Sequence, residues 1–292
     1  MLKINPGQTP IPQLHHHLLD TIVPRPIAFA STVDKDGKPN LSPFSFFNAF
    51  GVNPSTLVFS PSRRGRDNTT KHTYENLLEV PEVVINIVTY DMVQQVSLSS
   101  TEYPKGVNEF LKAGLTMLPS EKVRPFRVKE SPVHFECRVR DIIETGTEGG
   151  AGNLVICEIV MMHIDESILD EKGFVVPDKL RAVGRMGRNF YVRAFGDAVF
   201  EVEKPLARMG IGIDALPEKI RFSEHLTGNE LGQLGNLERL PGQDEIDAIE
   251  SFPELRHILE QSGNRSEALF LLAKKMIARG NAFDALKVLL TA

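Results

Sequence analysis

The stretch RPIAFASTVDKDGKPNLSPFSFFNAFGVNPSTLVFSPSRRGRDNTTKHTYENLLEVPEVVINIV, residues 25–88, decides the fold. Pro24 and Pro26 flank Arg25 and hold this entry extended, because a proline disfavours the helical region for the residue before it. IAFASTV then reads as a strand. Asp36-Gly37 is a hairpin signal, since glycine readily takes positive φ. NLSPFSFFNAF resumes extended structure, but Phe44, Phe46, Phe47 and Phe50 do not alternate. That predicts a strand that is bulged or buried on both faces. Asn53-Pro54 marks the next turn, and TLVFS is a short buried strand. Thr70 to Leu78 has a helical pattern that Thr69 or Thr70 could cap. VVINIVTY is rich in β-branched residues and reads as a core strand.

Upstream, residues 1–20 carry little regular pattern. His15, His16 and His17 are adjacent, so their side chains diverge and make a poor chelate; a partly buried lead-in arm fits better than a metal site. Downstream, Asp91 to Ser100 predicts a helix, and residues 101–131 are mixed, with Gly114 and Pro119 as breakers. HFECRVRDIIETG and NLVICEIVMMHID form a hairpin pair around TGTEGGAGN, and FYVRAF is a final short element. About seven hairpin-connected strands with helices between them predict a mainly β fold, an antiparallel barrel with helical insertions. No G-x-G-x-x-G follows a strand and opens a helix, and VGRMGRN does not meet that pattern, so a dinucleotide-binding parallel sheet is not expected.

From Lys204 the texture becomes Gly- and Leu-rich, then helical. This divides the chain into residues 1–203 and a helical extension, residues 204–292. Asp244–Ile249 and Pro253–Gln261 are short helix candidates. Ser266 to Arg279 is amphipathic and stops at Gly280; Asn281 is placed to cap a final helix with Leu286, Leu289 and Leu290 on one face. The last two helices read as a docking appendage.

The 292 residues carry a formal charge of −5, with 41% hydrophobic and 24% charged residues. This balance gives no reason to expect nucleic acid or an anionic membrane as partner. No apolar run is long enough for a membrane span, and no apolar leader opens the chain. Cys137 and Cys157 sit in apolar strand-like runs and read as reduced core thiols, which suits a cytoplasmic protein.

Against that acidic background, SPSRRGRDNTTKHT, residues 60–73, gathers five hydroxyls, three arginines and one lysine. Hydroxyls and N–H groups can bond phosphate oxygens while Arg and Lys supply charge. Lys71 and Thr73 would fall in the first turn of a helix, a natural seat for phosphate. Composition alone leaves two readings open, a phosphate site and a solvated basic loop.

The order of elements resembles the flavin reductase-like family, the FMN-binding split barrels. RPIAFASTVD with its DG hairpin is similar to the family's opening. SPFSFFNAFGVNPSTLVFS resembles its N-S-F-type strand, Pro-containing turn and apolar strand. KHTYEN, residues 71–76, resembles K-D-T-x-x-N, with His72 in place of the acidic residue. HFECRVRDI, LVICEIVMMHID and GRMGRNFY resemble the late strands and the closing R-x-G…Y. The resemblance spans about residues 20–195 and leaves the C-terminal hundred residues outside.

The resemblance implies a split barrel, a homodimer and bound FMN. Ser60, Ser62, Lys71 and Thr73 would hold the phosphate, with Arg63 or Arg66 assisting. Ser45, Phe46, Phe47 and Asn48 would face the ring and ribityl chain, and Ser31 and Thr32 could touch the ring. Arg185 is a candidate second anchor. Asp67 could replace the acid that His72 displaces. No metal is expected, and flavin carries the chemistry. His163, at the end of a late strand, is the one candidate for the nicotinamide side, against a plain surface or interface role. The implied activity is an NAD(P)H-dependent flavin oxidoreductase, using NADH or NADPH and passing electrons to an acceptor or partner oxygenase. The alternative is a non-catalytic FMN-binding or storage protein with a helical partner-docking tail.

Overall fold

The computed structural model describes the whole chain except residues 204, 206–208, 250, 261–264 and 292. The described residues form two compact units, Met1–Phe200 and Glu201–Ala292. The first begins with α1 (Ile11–Thr21), followed by strands β1 (Ala28–Val33), β2 (Pro39–Phe44), β3 (Phe47–Val52) and β4 (Ser55–Phe59). Then come α2 (His72–Glu79), β5 (Glu82–Ile87), α3 (Val93–Leu98), α4 (Glu109–Ala113) and the short pair β6 (Met117–Leu118) and β7 (Arg127–Val128). The long strands β8 (Val133–Glu144) and β9 (Asn153–Ile164) precede α5 (Pro177–Leu180), β10 (Val183–Arg185) and β11 (Tyr191–Arg193).

Seven strands make one antiparallel sheet in the order β2-β1-β5-β8-β9-β4-β3. Its two edge strands, β2 and β3, are consecutive in the chain and separated only by Ser45 and Phe46. The three Cα–Cα steps from Phe44 to Phe47 span about 11 Å at most, so the two edges of the sheet meet at this corner. NLSPFSFFNAF is therefore two edge strands rather than one buried strand, and most of β3 is exposed. The unalternating aromatics mark the break.

β1 is buried along its whole length, and its period-two alternation explains why. Ala28 and Ala30 face a core of Leu57, Phe59, Val83, Ile85, Cys137, Val155 and Cys157. Phe29 faces a second core with Leu41, Val96, Phe110 and Val183. Both thiols are free and buried, and burial pushes the Cys157 thiol up to about 12. They serve as small apolar side chains.

The lead-in arm is an 11-residue helix, α1, started by Pro10 and Pro12 rather than by a polar cap. Its three histidines gather no metal-ligand cluster among the described residues.

The second unit contains α6 (Glu218–Arg221), α7 (Gly228–Gly235), α8 (Gln243–Ile249), α9 (Pro253–Glu260), α10 (Arg265–Ala278) and α11 (Ala282–Leu290). A capping box, Thr227 with Glu230, starts α7. Leu234, Leu255, Leu269, Phe270, Ala273, Leu286 and Leu289 build its own core. Gly280, at φ +80, ends α10 as the sequence predicts. Asn281 stands at the N-cap of α11, but its side chain makes no cap bond. The end of the Pro253–Gln261 candidate, at Gln261, lies outside the described residues. No helix among them is long and apolar enough to cross a membrane.

Candidate functional site

The polar loop follows β4 and is pinned from both sides. Ser60 N–H donates to Phe46 O at 2.9 Å, which ties the loop to the corner between the sheet edges. On the other side lies the tip of the β8–β9 hairpin, the Gly-rich segment. Arg63 N–H donates to Ala151 O at 2.9 Å, and Gly150 N–H to Arg63 O at 3.1 Å. Asn153 donates its N–H to Ser60 Oγ at 3.1 Å and its Nδ2 to Pro61 O at 3.0 Å. A side chain at Gly149 would press on Arg64 O and Gly65 Cα at 3.1–3.2 Å, so glycine here allows the close approach. The hairpin tip, which sequence reasoning read only as a turn, is the buttress of the loop.

The loop's cations converge. Arg64 Nε lies 3.0 Å and Lys71 Nζ 3.4 Å from Glu102 Oε1, while Arg66 Nη2 lies 2.8 Å from Glu102 Oε2. Arg66 also meets Asp67 at 3.1 Å. Arg63 bonds Asn68 through its side chain and carbonyl, at 2.7 and 2.9 Å. The side-chain hydrogen bonds of Arg66 and then Arg64 draw the Glu102 carboxyl down to about 2. Burial and the neighbouring Arg64 lower the Lys71 pKa. Three of the loop's four cations thus meet two carboxylates, Asp67 and Glu102, while Arg63 rests on neutral Asn68, so the four exceed those two carboxylates by two positive charges.

The acid facing Lys71 is therefore Glu102. Asp67 instead turns onto Thr69, accepting from its hydroxyl at 2.6 Å and its N–H at 3.1 Å. Glu102 lies in the mixed segment, residues 101–131, and 31 residues beyond Lys71. His72 is pushed down first by burial, so it stays neutral and adds no charge. Helix α2 begins two residues later than its pattern predicts. Lys71 is the N-cap and no side chain caps the first turn. The Thr70 hydroxyl is spent on Glu75 at 2.8 Å.

The predicted residues do not all gather. Ser60, Ser62, Arg63, Arg66 and Lys71 share the loop, and Ser60 Oγ lies 3.2 Å from Ser62 Oγ. Thr73 turns inward, only 1% exposed, and its hydroxyl accepts from Asn40 Nδ2 at 2.9 Å. Thr32 accepts from Asn76 Nδ2 at 3.2 Å in the same buried network, so both hydroxyls hold α2 to the sheet. Ser31 is also fully buried, and its hydroxyl has no partner among the described residues. Ser45 and Phe46 form the corner; Phe46 and Asn48 are exposed and Phe47 is half-buried against the inner core.

Ser45 is held by a residue that sequence reasoning treated only as backbone. Arg25 is 5% exposed and donates from Nε to Ser45 Oγ at 3.2 Å. Its other donors reach Leu19 O and Ile22 O at 2.7 and 2.6 Å, closing α1, and Met186 O at 3.0 Å. Arg185 pairs with Arg25 through the backbone, and its guanidinium bonds carbonyls of its own turn, including Phe190 O at 2.8 Å. It stacks on Tyr191 and lines a cavity of about 420 Å³ with Tyr90 and Arg193. Arg185 thus stands with Arg25 behind the corner, and the structure shows no bond from it to the polar loop.

His163 lies at the far end of β9 from Asn153, ten residues and about 33 Å of strand away. Its Nε2 meets the fully buried Glu136 carboxylate at 2.7 Å. Glu136 also accepts from the N–H groups of Glu121 and Lys122, at 2.9 and 2.6 Å. These bonds outweigh its burial and lower its pKa.

Known proteins share this fold. A structure of nitrilotriacetate monooxygenase component B from Bacillus cereus superposes with a TM-score of 0.64 at 29% identity, covering 69% of this chain and 98% of that one. A putative flavin reductase with a split barrel domain from Shewanella frigidimarina shares the fold, with a TM-score of 0.58 at 23% identity over 68% of this chain and 95% of its own. An uncharacterized protein of Aquifex aeolicus is 38% identical over 189 residues, 65% of this chain and 94% of its own length. The model of the flavin reductase like domain matches residues 20–183, more than half of the chain and the whole of the seven-stranded sheet. With its sheet, its corner and its cation-rich loop all inside that match, the chain belongs to the flavin reductase-like family.

Proposed function

We propose that this chain binds FMN and acts as an NAD(P)H-dependent flavin oxidoreductase that passes electrons to an acceptor or a partner oxygenase. The observation that carries the reading is the excess of two positive charges on a loop tied directly to the Ser45–Phe46 corner. A phosphate monoester is close to a dianion at neutral pH, so it fits that excess. Ser60, Ser62, Lys71 and the arginines hold the phosphate, with the uncapped first turn of α2 adding N–H donors. Thr73 contributes backbone only, because its hydroxyl is committed inside. Ser45 to Asn48 line the ring side. Arg25 keeps the Ser45 hydroxyl oriented and brings a buried positive charge near it.

When bound, FMN supplies the acceptor for a hydride from NADH or NADPH. The protein's part is to position the cofactor and to place donors and positive charge where reduction adds negative charge. The likeness to a protein named as a monooxygenase component supports a partner oxygenase. Exposed Phe50 and Val52 along edge strand β3, with Phe46 at the corner before it, support a homodimer, and the two buried free thiols support a cytoplasmic setting.

The test is anaerobic addition of NADH, then NADPH, to FMN-loaded protein while the flavin absorbance is followed. Bleaching by either is expected; no bleaching by both overturns the reductase reading. The second reading, an FMN-binding or storage protein with a docking tail, draws on the C-terminal unit, which has its own core and lies beyond the family match. It requires flavin that stays oxidised under both nicotinamides.

A further inference from the structure

Three cations on one exposed carboxylate is an arrangement that a phosphate group would satisfy better. Glu102 offers a single negative charge to Arg64, Arg66 and Lys71. Phosphate offers nearly two, and three strong acceptor oxygens in place of two. We propose that Glu102 is an internal substitute for phosphate. Its carboxylate holds the cations together in the ligand-free protein and leaves them when a phosphate monoester arrives. The proposal rests on the FMN reading above and deepens it, because it makes Glu102 the residue that sets how tightly the phosphate end is held.

The two sides of the contact differ in how firmly they are fixed. Arg64 is anchored without Glu102: its Nη1 donates to Thr69 Oγ1 at 3.0 Å and also to the Thr70 carbonyl. Its side chain is largely covered, at 15% exposure. Lys71 is the N-cap residue of α2, so its backbone is fixed by the helix start. Glu102 lies between α3 and α4, outside any helix or strand, with a side chain 41% exposed. Among the described residues, its ion pairs are with these three cations. Swinging the half-exposed carboxylate into water hydrates it further, while Arg64 and the Lys71 backbone stay in place for the incoming anion.

Glu102 is ionised throughout the physiological range, with its pKa near 2. The exchange is therefore a competition between two anions rather than a titration of the residue. Phosphate must displace a resident carboxylate, so the cofactor is held more loosely than the cations alone would hold it. That suits a flavin exchanged between binding events.

The experiment compares wild type with Glu102→Gln, which keeps shape and removes charge at an exposed position. Dissociation constants for FMN and for riboflavin, which lacks the phosphate, are measured by quenching of flavin fluorescence. FMN is expected to bind about tenfold more tightly to the variant, the size of change that a few exposed ion pairs amount to, with riboflavin unchanged. Unchanged or weaker FMN binding in the variant overturns the proposal, and a wild type that still prefers FMN to riboflavin then keeps the phosphate reading intact. A wild type that binds riboflavin as tightly as FMN overturns the phosphate reading, and the proposal with it.

Discussion

The two ends of the β8–β9 hairpin both carry charged clusters, and they differ in what is left over. At the open end, Glu136 is buried with His163 Nε2 and two backbone N–H groups on its oxygens, and Arg127 Nε at 3.9 Å. The buried carboxylate there is matched by these donors. At the hairpin tip, the loop that leans on Asn153 and Ala151 has more cations than carboxylates. A cluster whose charges balance is explained by the architecture alone; the surplus at the tip is what the proposed phosphate would neutralise. Burial separates the two in the same way. Glu136 is fully buried, whereas Arg66 and Glu102 are open to water.

The comparison is broken most directly at Glu136. Glu136→Ala leaves two part-buried N–H groups and a histidine without their acceptor. It should lower the stability of the sheet unit by about 3 kcal/mol, read from urea unfolding. FMN affinity in the protein that remains folded should not change. A milder form of the experiment uses pH. The folded pKa of Glu136 is depressed, so its contribution is present above the ordinary glutamate value of about 4.3 and is lost as pH falls through the folded value. Glu136→Gln should remove that part of the acid slope.

At the other end the effect should appear in binding instead. Lys71→Ala should weaken FMN by about 2 kcal/mol, measured by fluorescence titration, and leave the unfolding midpoint unchanged. Riboflavin should be indifferent to the substitution. A loss of stability equal to the loss of affinity would show that the loop is another closed cluster. The smallest change is expected at His163. His163→Gln removes one of several partners of Glu136 and should cost about 1 kcal/mol of stability. The rate of flavin bleaching by NADH should stay the same, and a marked fall would return His163 to the nicotinamide side.

How far the sequence could be read follows from the range of each interaction. The Asp36-Gly37 hairpin, the late strand pair and the cationic loop depend on neighbours in the chain, and all are visible in the residues themselves. Glu102 meets Lys71 and Arg66 across 31 and 36 residues, from a segment with no periodicity, so nothing local announces it. Arg25 is hidden for the same reason: its last donor reaches Met186, 161 residues away. Thr73 misleads because a hydroxyl in the first turn of a helix has the same spelling whether it faces a ligand or a buried asparagine. The corner at Ser45 was blurred because two edge strands meeting there read as one aromatic run.

The two edges that meet at that corner are not equally open to a further strand. On β2, Pro39 and Pro43 have no N–H to offer, and the outward N–H of Leu41 is taken by the buried Glu109 carboxylate at 3.0 Å. On β3, Phe50 and Val52 stand exposed beside an edge with no proline and no carboxylate across it among the described residues. Edge-to-edge aggregation of chains that have not yet met a partner copy, as during refolding, should therefore start at β3, and Val52→Lys should suppress it.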